Sequence, residues 1–365
     1  MPIYMDVHIV PGVKAKDVAE AHRKDLLHQH EYGCNCMTYW IDEQRETIFC
    51  LIDAANKDAV KEMHSKAHGL VPNKIIEVSS SIVESFLGRI YDPEEAKTTV
   101  AGLKIFTDPS FRILLVARIK DPVLLRHQLS VEKAGELINR YTEITRKNIR
   151  QHEGSEVEHS GEGFIVSFTS ASKAVSCALA IQKDIPVADA TTLGLKIGIN
   201  GGEPIEKSNK LFGDTIQFAN YLCAVAGDSQ IAIASNIKEL ISKDHFQKKN
   251  NFLTLSPQDE SFLKLLFERL EEKWQDTEFD IPEYCQAMAM SQSQLYRKTT
   301  ALTGLSGNVL LKEIRLENAK ELMKKQRYTI SQITFDSGFT SPSYFTKCFK
   351  KKYGLLPMEY IDLLH

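Results

Sequence analysis

From about residue 255 to the C-terminus, apolar residues recur only at helical spacing, and turn and capping residues interrupt the recurrence again and again. A chain written this way must fold there as a set of short packed helices. SPQDESFLKLLFERLEEKWQ opens on Ser256 and acidic residues, then places Phe262, Leu265, Leu266 and Leu270 on one helical stripe. In DIPEYCQAMAMSQSQLYRKTTALTG, Asp280 is suited to cap a short helix with Pro282 in its first turn. Ser291 is suited to cap a second helix that ends at Gly304. The same grammar returns after the helix around LLKEIRLENAKELMKK. A helix starts near Thr329, Gly338 supplies a tight turn, and a further helix runs from Ser341 to Tyr353. Two helix-turn-helix units joined by one helix are expected.

Charge separates this segment from the rest. Residues 281–365 hold 12 Lys and Arg against 7 Asp and Glu, while residues 1–80 hold 9 against 12, in a chain of net charge -3. Lys347, Lys350, Lys351 and Lys352 crowd one short stretch. A basic module on an acidic body implies a polyanionic partner for that module alone.

IRLENAKELMKKQRYTISQITFDSGFTSPSYFTKCFKKKYGLLPMEY resembles the C-terminal signature of the AraC family of bacterial transcription regulators, including Gly338, Phe339, Tyr344, Phe345, Phe349, Gly354 and Pro357. MSQSQLYRKTTALTG resembles that family's first recognition helix, and the likeness covers about 255–362. It implies an all-α DNA-binding domain over 255–365, a double-stranded DNA partner, and a second helix of each unit in the major groove. Ser293, Tyr296 and Arg297 would face DNA from the first such helix, with Leu295 buried. Ser343, Thr346 and Lys347 would do so from the second, with Phe345 and Phe349 in the core. Arg297 can fork onto a guanine edge, worth roughly 1–3 kcal/mol of discrimination. Lys350 and Lys351 suit phosphates.

Residues 111–241 alternate apolar strand-like runs (RILLVARI, GFIVSF, LGLKIGIN, QIAIAS) with helical segments, an α/β layer arrangement. HSGEGFIVSF, LKIGINGG and FGDTIQFANYLCAVAGDSQIAIAS resemble the class III nucleotidyl cyclase domain. That resemblance places the metal-binding acids at Arg118 and Glu162, and the transition-state asparagine and arginine at Gln217 and Tyr221. A guanidinium at Arg118 puts fixed positive charge where a divalent ion belongs, costing on the order of 4 kcal/mol at ~4 Å and an effective dielectric near 20. With Tyr221 the cation for developing phosphate charge is also gone. The expectation is a catalytically inactive pseudo-cyclase domain, left with dimerisation or with a small-molecule ligand in the vacated cleft.

Residues 1–80 contain six of the eleven histidines and three of the seven cysteines. Strand and helix patterns follow in the order βαββαβ, that of an α+β ferredoxin-like fold. His64 and His68 are four apart on a helix, so both rings can reach one ion. Asp6 and His8 share a strand face. Cys50 lies on a central strand, and GCNC offers Cys34 and Cys36. His28 and His30 are expected in solvent, and His22 on its helix can either ligate or cap apolar packing. YMDVHIV, AHRKDL, YWIDE, FCLIDA and HSKAHGLVP together resemble a small bacterial nickel-binding family. The metal candidates are His8, His22, Cys34, Cys36, Cys50, His64 and His68. Thiolate and imidazole together suit nickel or another late transition metal ion.

Residues 81–110 and 240–256, with YDPEEAKTT and SKDHFQKKNN, are expected as connectors. No apolar run approaches the roughly 18 residues that cross a bilayer, and the N-terminus lacks the form of a signal peptide. Seven cysteines without regular spacing fit a reducing compartment, so a cytoplasmic protein with no membrane partner is expected. The parts add up to a multidomain DNA-binding transcription regulator, not an enzyme, working as a homodimer and metal-responsive through its N-terminal domain. Two other readings use the same residues. One is an active or atypical cyclase fused to a DNA-binding tail. The other gives the N-terminal domain only a structural or metal-storage role.

Overall fold

β1 (Ile3–Ile9), α1 (Ala15–His28), β2 (Asn35–Asp42), β3 (Thr47–Asp53), α2 (Lys57–Ala67) and β4 (Lys74–Val78) follow the expected order in the computed structural model, which describes residues 1–99, 103–227, 230–241 and 252–364. The strands lie β2-β3-β1-β4, all antiparallel, which is the ferredoxin-like arrangement. Strand alternation divides the side chains between two faces. Tyr4, Tyr39, Ile48, Cys50 and Ile52 pack with Val18 of α1 and with Val60 and Met63 of α2. Met5, Val7, Trp40, Phe49 and Leu51 pack on the opposite face.

That second face meets an element expected as connector. α3 (Ser80–Leu87) buries Val83, Phe86 and Leu87 in the same cluster as Trp40 and Phe49. After the short strands β5 (Lys97–Thr98) and β6 (Lys104–Ile105), Phe106 stacks on Tyr39 with ring centres 4.1 Å apart. The segment 81–110 is therefore packed structure along most of its length. An eight-residue helix with three buried side chains is too short to show a period. Residues 100–102 of that segment lie outside the described residues.

The second sheet begins with β7 (Arg112–Arg118), followed by α4 (Pro122–Leu129), α5 (Val131–Gln151), β8 (Ser155–Ser160), β9 (Gly163–Phe168), α6 (Ala171–Asp184), α7 (Val187–Leu193) and β10 (Lys196–Gly202). It continues with α8 (Gly213–Val225), β11 (Ile231–Ile233), α9 (Ser235–Leu240) and β12 (Phe252–Thr254). The order is β12-β11-β10-β7-β9-β8, with parallel pairing among the first three strands and antiparallel pairing beyond. β7 is apolar between its terminal arginines because both its faces are covered. Ile113, Leu115 and Ala117 join the cluster with α5 and α6, Leu114 joins α3, and Val116 meets Ala219 and Cys223 of α8. α8 lies so close to β10 that a Cβ on Gly198 would overlap the Ala219 carbonyl oxygen. The sheet runs past residue 241, since β12 forms its edge. The expected connector SKDHFQKKNN, residues 242–251, lies outside the described residues.

The remaining helices are α10 (Pro257–Lys273), α11 (Ile281–Ala287), α12 (Gln292–Thr303), α13 (Gly307–Lys324), α14 (Ile330–Asp336), α15 (Pro342–Tyr353) and α16 (Pro357–Asp362). Ser256, Asp280, Ser291, Thr329 and Ser341 each cap the following helix through a side-chain oxygen. The stripe on α10 is wider than its spacing indicates. Leu263 and Phe267 are buried beside Phe262, Leu266 and Leu270, whereas Leu265 is only partly buried.

Candidate metal centre and nucleic-acid interface

β1 turns Asp6 and His8 toward the helices that cover the first sheet, β3 adds Cys50 from the neighbouring strand, α2 adds His64 and, at its C-cap, His68, and α1 adds Asp25. Asp6 and Cys50 are partners across the β1–β3 ladder. The structure draws two groups of donor atoms together, each within 4.8 Å: Asp6, His8, Cys50 and His64, and Asp25, His64 and His68. His64 belongs to both. Its Nε2–H donates to Asp6 Oδ2 at 2.9 Å and its Nδ1–H to Asp25 Oδ1 at 3.1 Å. His68 Nε2 lies 3.1 Å from Asp25 Oδ1, and His8 Nε2 lies 3.3 Å from Asp6 Oδ1.

Burial sets the electrostatics. It works against an ionised Asp6, but His64 and His8 outweigh it and hold the carboxyl well below the usual range. Asp25 is lowered against the same burial penalty by the hydrogen bonds from His64 and His68. Burial would discharge His64, yet the Asp6 charge and the Asp25 hydrogen bond push it up to about 10, so the metal-free cluster carries an imidazolium between two carboxylates. Burial, then Asp6 and Asp25, push the Cys50 thiol well above its ordinary value.

The residues fit a metal ion. His8 Nδ1 is buried without a hydrogen-bond partner, and buried Asp6 Oδ1 has only the 3.3 Å approach of His8 Nε2, which is costly unless something else satisfies them. A chamber of about 20 Å³ lies among His8, His22, Asp25, Cys50 and His68, room for one small ion or water. One sulfur, two imidazoles and a carboxylate suit a late first-row ion, which would take the places of the His64 and Cys50 protons.

Three candidates lie outside both donor groups. His22 lines the chamber but faces Asp92 at 3.4 Å and packs on the Tyr39 ring. Cys34 Sγ points to the Tyr32 carbonyl at 3.7 Å, and Cys36 Sγ to Met63 Sδ at 3.4 Å, both within the apolar core. Asp6 and Asp25 were not among the candidates. Asp6 shares the face of His8, and Asp25 follows His22 by three residues on α1, which are the signals available for them.

In the middle domain, the four positions of the cyclase resemblance make structural contacts. Arg118 donates from Nε and Nη2 to Asn220 Oδ1 at 3.1 and 3.0 Å. Glu162 is paired with Lys324 of α13. Gln217 donates to Glu271 at 2.5 Å, and Tyr221 stacks on Phe267 with ring centres 4.5 Å apart. A groove of about 1030 Å³ opens beside Gln217 and Asn220, between α3, β8, β9 and α8.

In the helical domain, Leu295, Phe345 and Phe349 are in the core. Ser293, Tyr296, Arg297, Ser343, Lys347, Lys350 and Lys351 are exposed, and Thr346 is half-buried. Lys352 differs from its neighbours. Its ammonium is tied to Glu313 and, at 2.9 Å, to Glu317 of α13, so this lysine braces the fold instead of facing outward.

Residues 4–78 match the family described as nickel responsive protein SCO4226-like, and residues 284–362 match a helix-turn-helix domain. The chain is 37% identical over 108 residues to "Histidine kinase P4" of Formosa agariphila, covering 30% of this chain and 8% of that protein. It is 30% identical over 110 residues to "Putative adenylate cyclase 3" of Rhizobium meliloti, covering 29% and 19%. It is 32% identical over 95 residues to "HTH-type transcriptional regulator MtrA" of Neisseria gonorrhoeae, covering 26% and 31%. The chain thus spans less than a third of the length of each of these relatives. It joins a domain similar to the nickel responsive SCO4226-like family, a cyclase-like domain and an AraC-type helix-turn-helix domain, a domain type that binds DNA. Among the described residues no helix is long and apolar enough to cross a membrane.

Proposed function

We propose that the whole chain is a sequence-specific DNA-binding transcription regulator whose DNA affinity responds to a transition metal in its N-terminal domain. The observation that carries this reading is the pair of capped helices, α12 and α15, each with buried apolar anchors and an exposed polar or basic face. Arg297 and Lys347 supply readout, and Lys350 and Lys351 supply phosphate contacts. Arg297→Ala is expected to cost roughly 1–3 kcal/mol on a specific site, and Lys350→Ala with Lys351→Ala to lower affinity for all sequences and flatten its salt dependence. Unchanged affinity on the promoter region of its own gene at physiological salt would place the readout elsewhere.

Asp6, His8, Cys50 and His64 hold the metal in this reading, with nickel the first ion to try. Asp25 receives the second ring N–H of His64 and so fixes the ring for ligation. A homodimer in the cytoplasm completes the proposal.

The middle domain acts without catalysis. Cyclase chemistry requires carboxylates for two metal ions, and Arg118 and the Lys324-bound Glu162 do not supply them. Purified protein with Mg²⁺ or Mn²⁺ is expected to form no cyclic nucleotide, and Arg118→Asp is expected not to restore any. Turnover by either protein would favour the enzyme reading.

A further inference from the structure

Three of the four positions where the cyclase resemblance puts catalytic groups, Glu162, Gln217 and Tyr221, touch the chain's own helical domain. Asp121, the N-cap of α4, has a side chain 1% exposed. Its Oδ2 accepts from Lys320 Nζ at 3.3 Å and from the Tyr360 hydroxyl at 2.6 Å, and Lys324 Nζ lies 3.7 Å away. Lys320 and Lys324 sit on α13, which joins the two helix-turn-helix units, and Tyr360 on α16, which follows the second. Val123 and Leu124 of α4 share one apolar cluster with Leu316, Phe345, Phe349 and Tyr360. The first unit is held from its other end. α10 leads into it and rests on α8 through the Tyr221–Phe267 stack and the Gln217–Glu271 bond. Glu260 of α10 accepts from both the backbone N–H and the hydroxyl of Ser235, at 2.5 and 2.7 Å.

These contacts differ in weight. The Glu162–Lys324 pair is about one-third exposed on both sides and contributes little on its own. Asp121 is different, because a carboxylate buried against a lysine and a tyrosine of another domain is costly to strip of either.

We propose that Glu162, Gln217 and Tyr221, with the neighbouring Asp121, form a docking platform for this chain's own DNA-binding domain, and that the domain remains docked while it holds DNA. The positions that carry chemistry in cyclases thereby carry a mount here. The candidate readout residues on α12 and α15 are exposed, apart from half-buried Thr346, whereas the docked surfaces are the inward faces of α10, α13 and α16 together with the inner sides of α12, which meets α8, and of α15.

Hydrogen–deuterium exchange on the full-length protein tests this. Asp121→Asn keeps the shape and the side-chain oxygen that accepts from the Val123 N–H but removes the charge. It is expected to speed exchange in α13 and α16 by about tenfold or more, with β7 to β10 unchanged. Tyr360→Phe keeps the buried ring and removes only the hydroxyl, so it should act in the same direction, confined to α16 and α4. Wild-type exchange rates in both variants would overturn the platform. A nonspecific DNA duplex at low salt is expected to protect α12 and α15 while α13 and α16 stay as slow as before. Loosening of α13 and α16 by DNA would contradict docking in the bound state and mark the contact as an inhibitory latch. Because exchange in the variants is read without any operator, failure of the platform is distinguishable from failure of the proposed DNA readout.

Discussion

His64→Ala is expected to destabilise the N-terminal domain by about 3–5 kcal/mol, because it leaves Asp6 and Asp25 buried without the cation they share. Both carboxylates accept from the same ring, and both are almost wholly out of solvent. Denaturant titration of the metal-free protein measures the loss, and a change below about 1 kcal/mol would mean the three groups do not interact as described. Cys50→Ser separates metal binding from folding. It is expected to leave the fold nearly as stable as before, since no charged partner is stripped, while lowering nickel affinity by about 100-fold or more. Metal-competition titration reads that directly. The pH dependence of the metal-free protein has a definite sign. His64 is raised from an ordinary 6.5 to about 10, so its share of stability is full below 6.5 and is lost as pH climbs toward 10. Asp6 is lowered, so its share is present above the ordinary carboxylate value and is lost as pH falls through the depressed one.

The second large effect is expected at Gly338→Ala. The residue has φ +77°, and a Cβ there would overlap the Trp274 carbonyl oxygen and press on the Arg315 guanidinium. Arg315 donates to the Trp274, Asp276 and Phe279 carbonyl oxygens, so it ties the end of α10 to α13 at the place where the α14–α15 turn arrives. Left-handed backbone costs a side chain roughly 1–2 kcal/mol, and the displaced contact adds to it, for a total of about 2–4 kcal/mol. Thermal unfolding should show the loss, and DNA binding should weaken with it. Unfolding at the wild-type temperature would mean that the turn accepts a side chain and that α10 is not fixed there.

What the sequence disclosed follows the range of the interactions. Ser291, Thr329 and Ser341 cap helices that start beside them, and Gly304, Gly338 and Gly354 end or turn helices next to them, so the second helix-turn-helix unit is legible nearly to the residue. The first sheet is equally legible, because alternation on β1 and β3 separates Asp6, His8 and Cys50 from Met5 and Val7 within a few residues. Asp25 was hidden because its partner His64 is 39 residues away, on another helix. Lys352 was hidden because neither Glu313 nor Glu317 is near it in the chain, and charge alone does not tell a brace from a DNA contact. The departures from the cyclase pattern at Glu162 and Tyr221 are legible in the sequence. Their partners are not, because Lys324 and Phe267 come from segments that the local pattern assigned to another domain. Cys34 and Cys36 lie outside both donor groups, and their spacing does not disclose that. They sit near the donor groups in sequence-pattern terms, yet the sheet turns them into the apolar core beside Tyr32 and Met63.

Metal in the first domain can govern DNA binding by the last only if the ion prefers one arrangement of the chain over another. The most direct test is fluorescence anisotropy of metal-stripped protein on its own promoter region, titrated with nickel and then with zinc and copper. A saturable change in DNA affinity of about tenfold is expected with the preferred ion, absent in Cys50→Ser. Superimposable DNA-binding curves with and without every ion, from protein that demonstrably holds the metal, would contradict it.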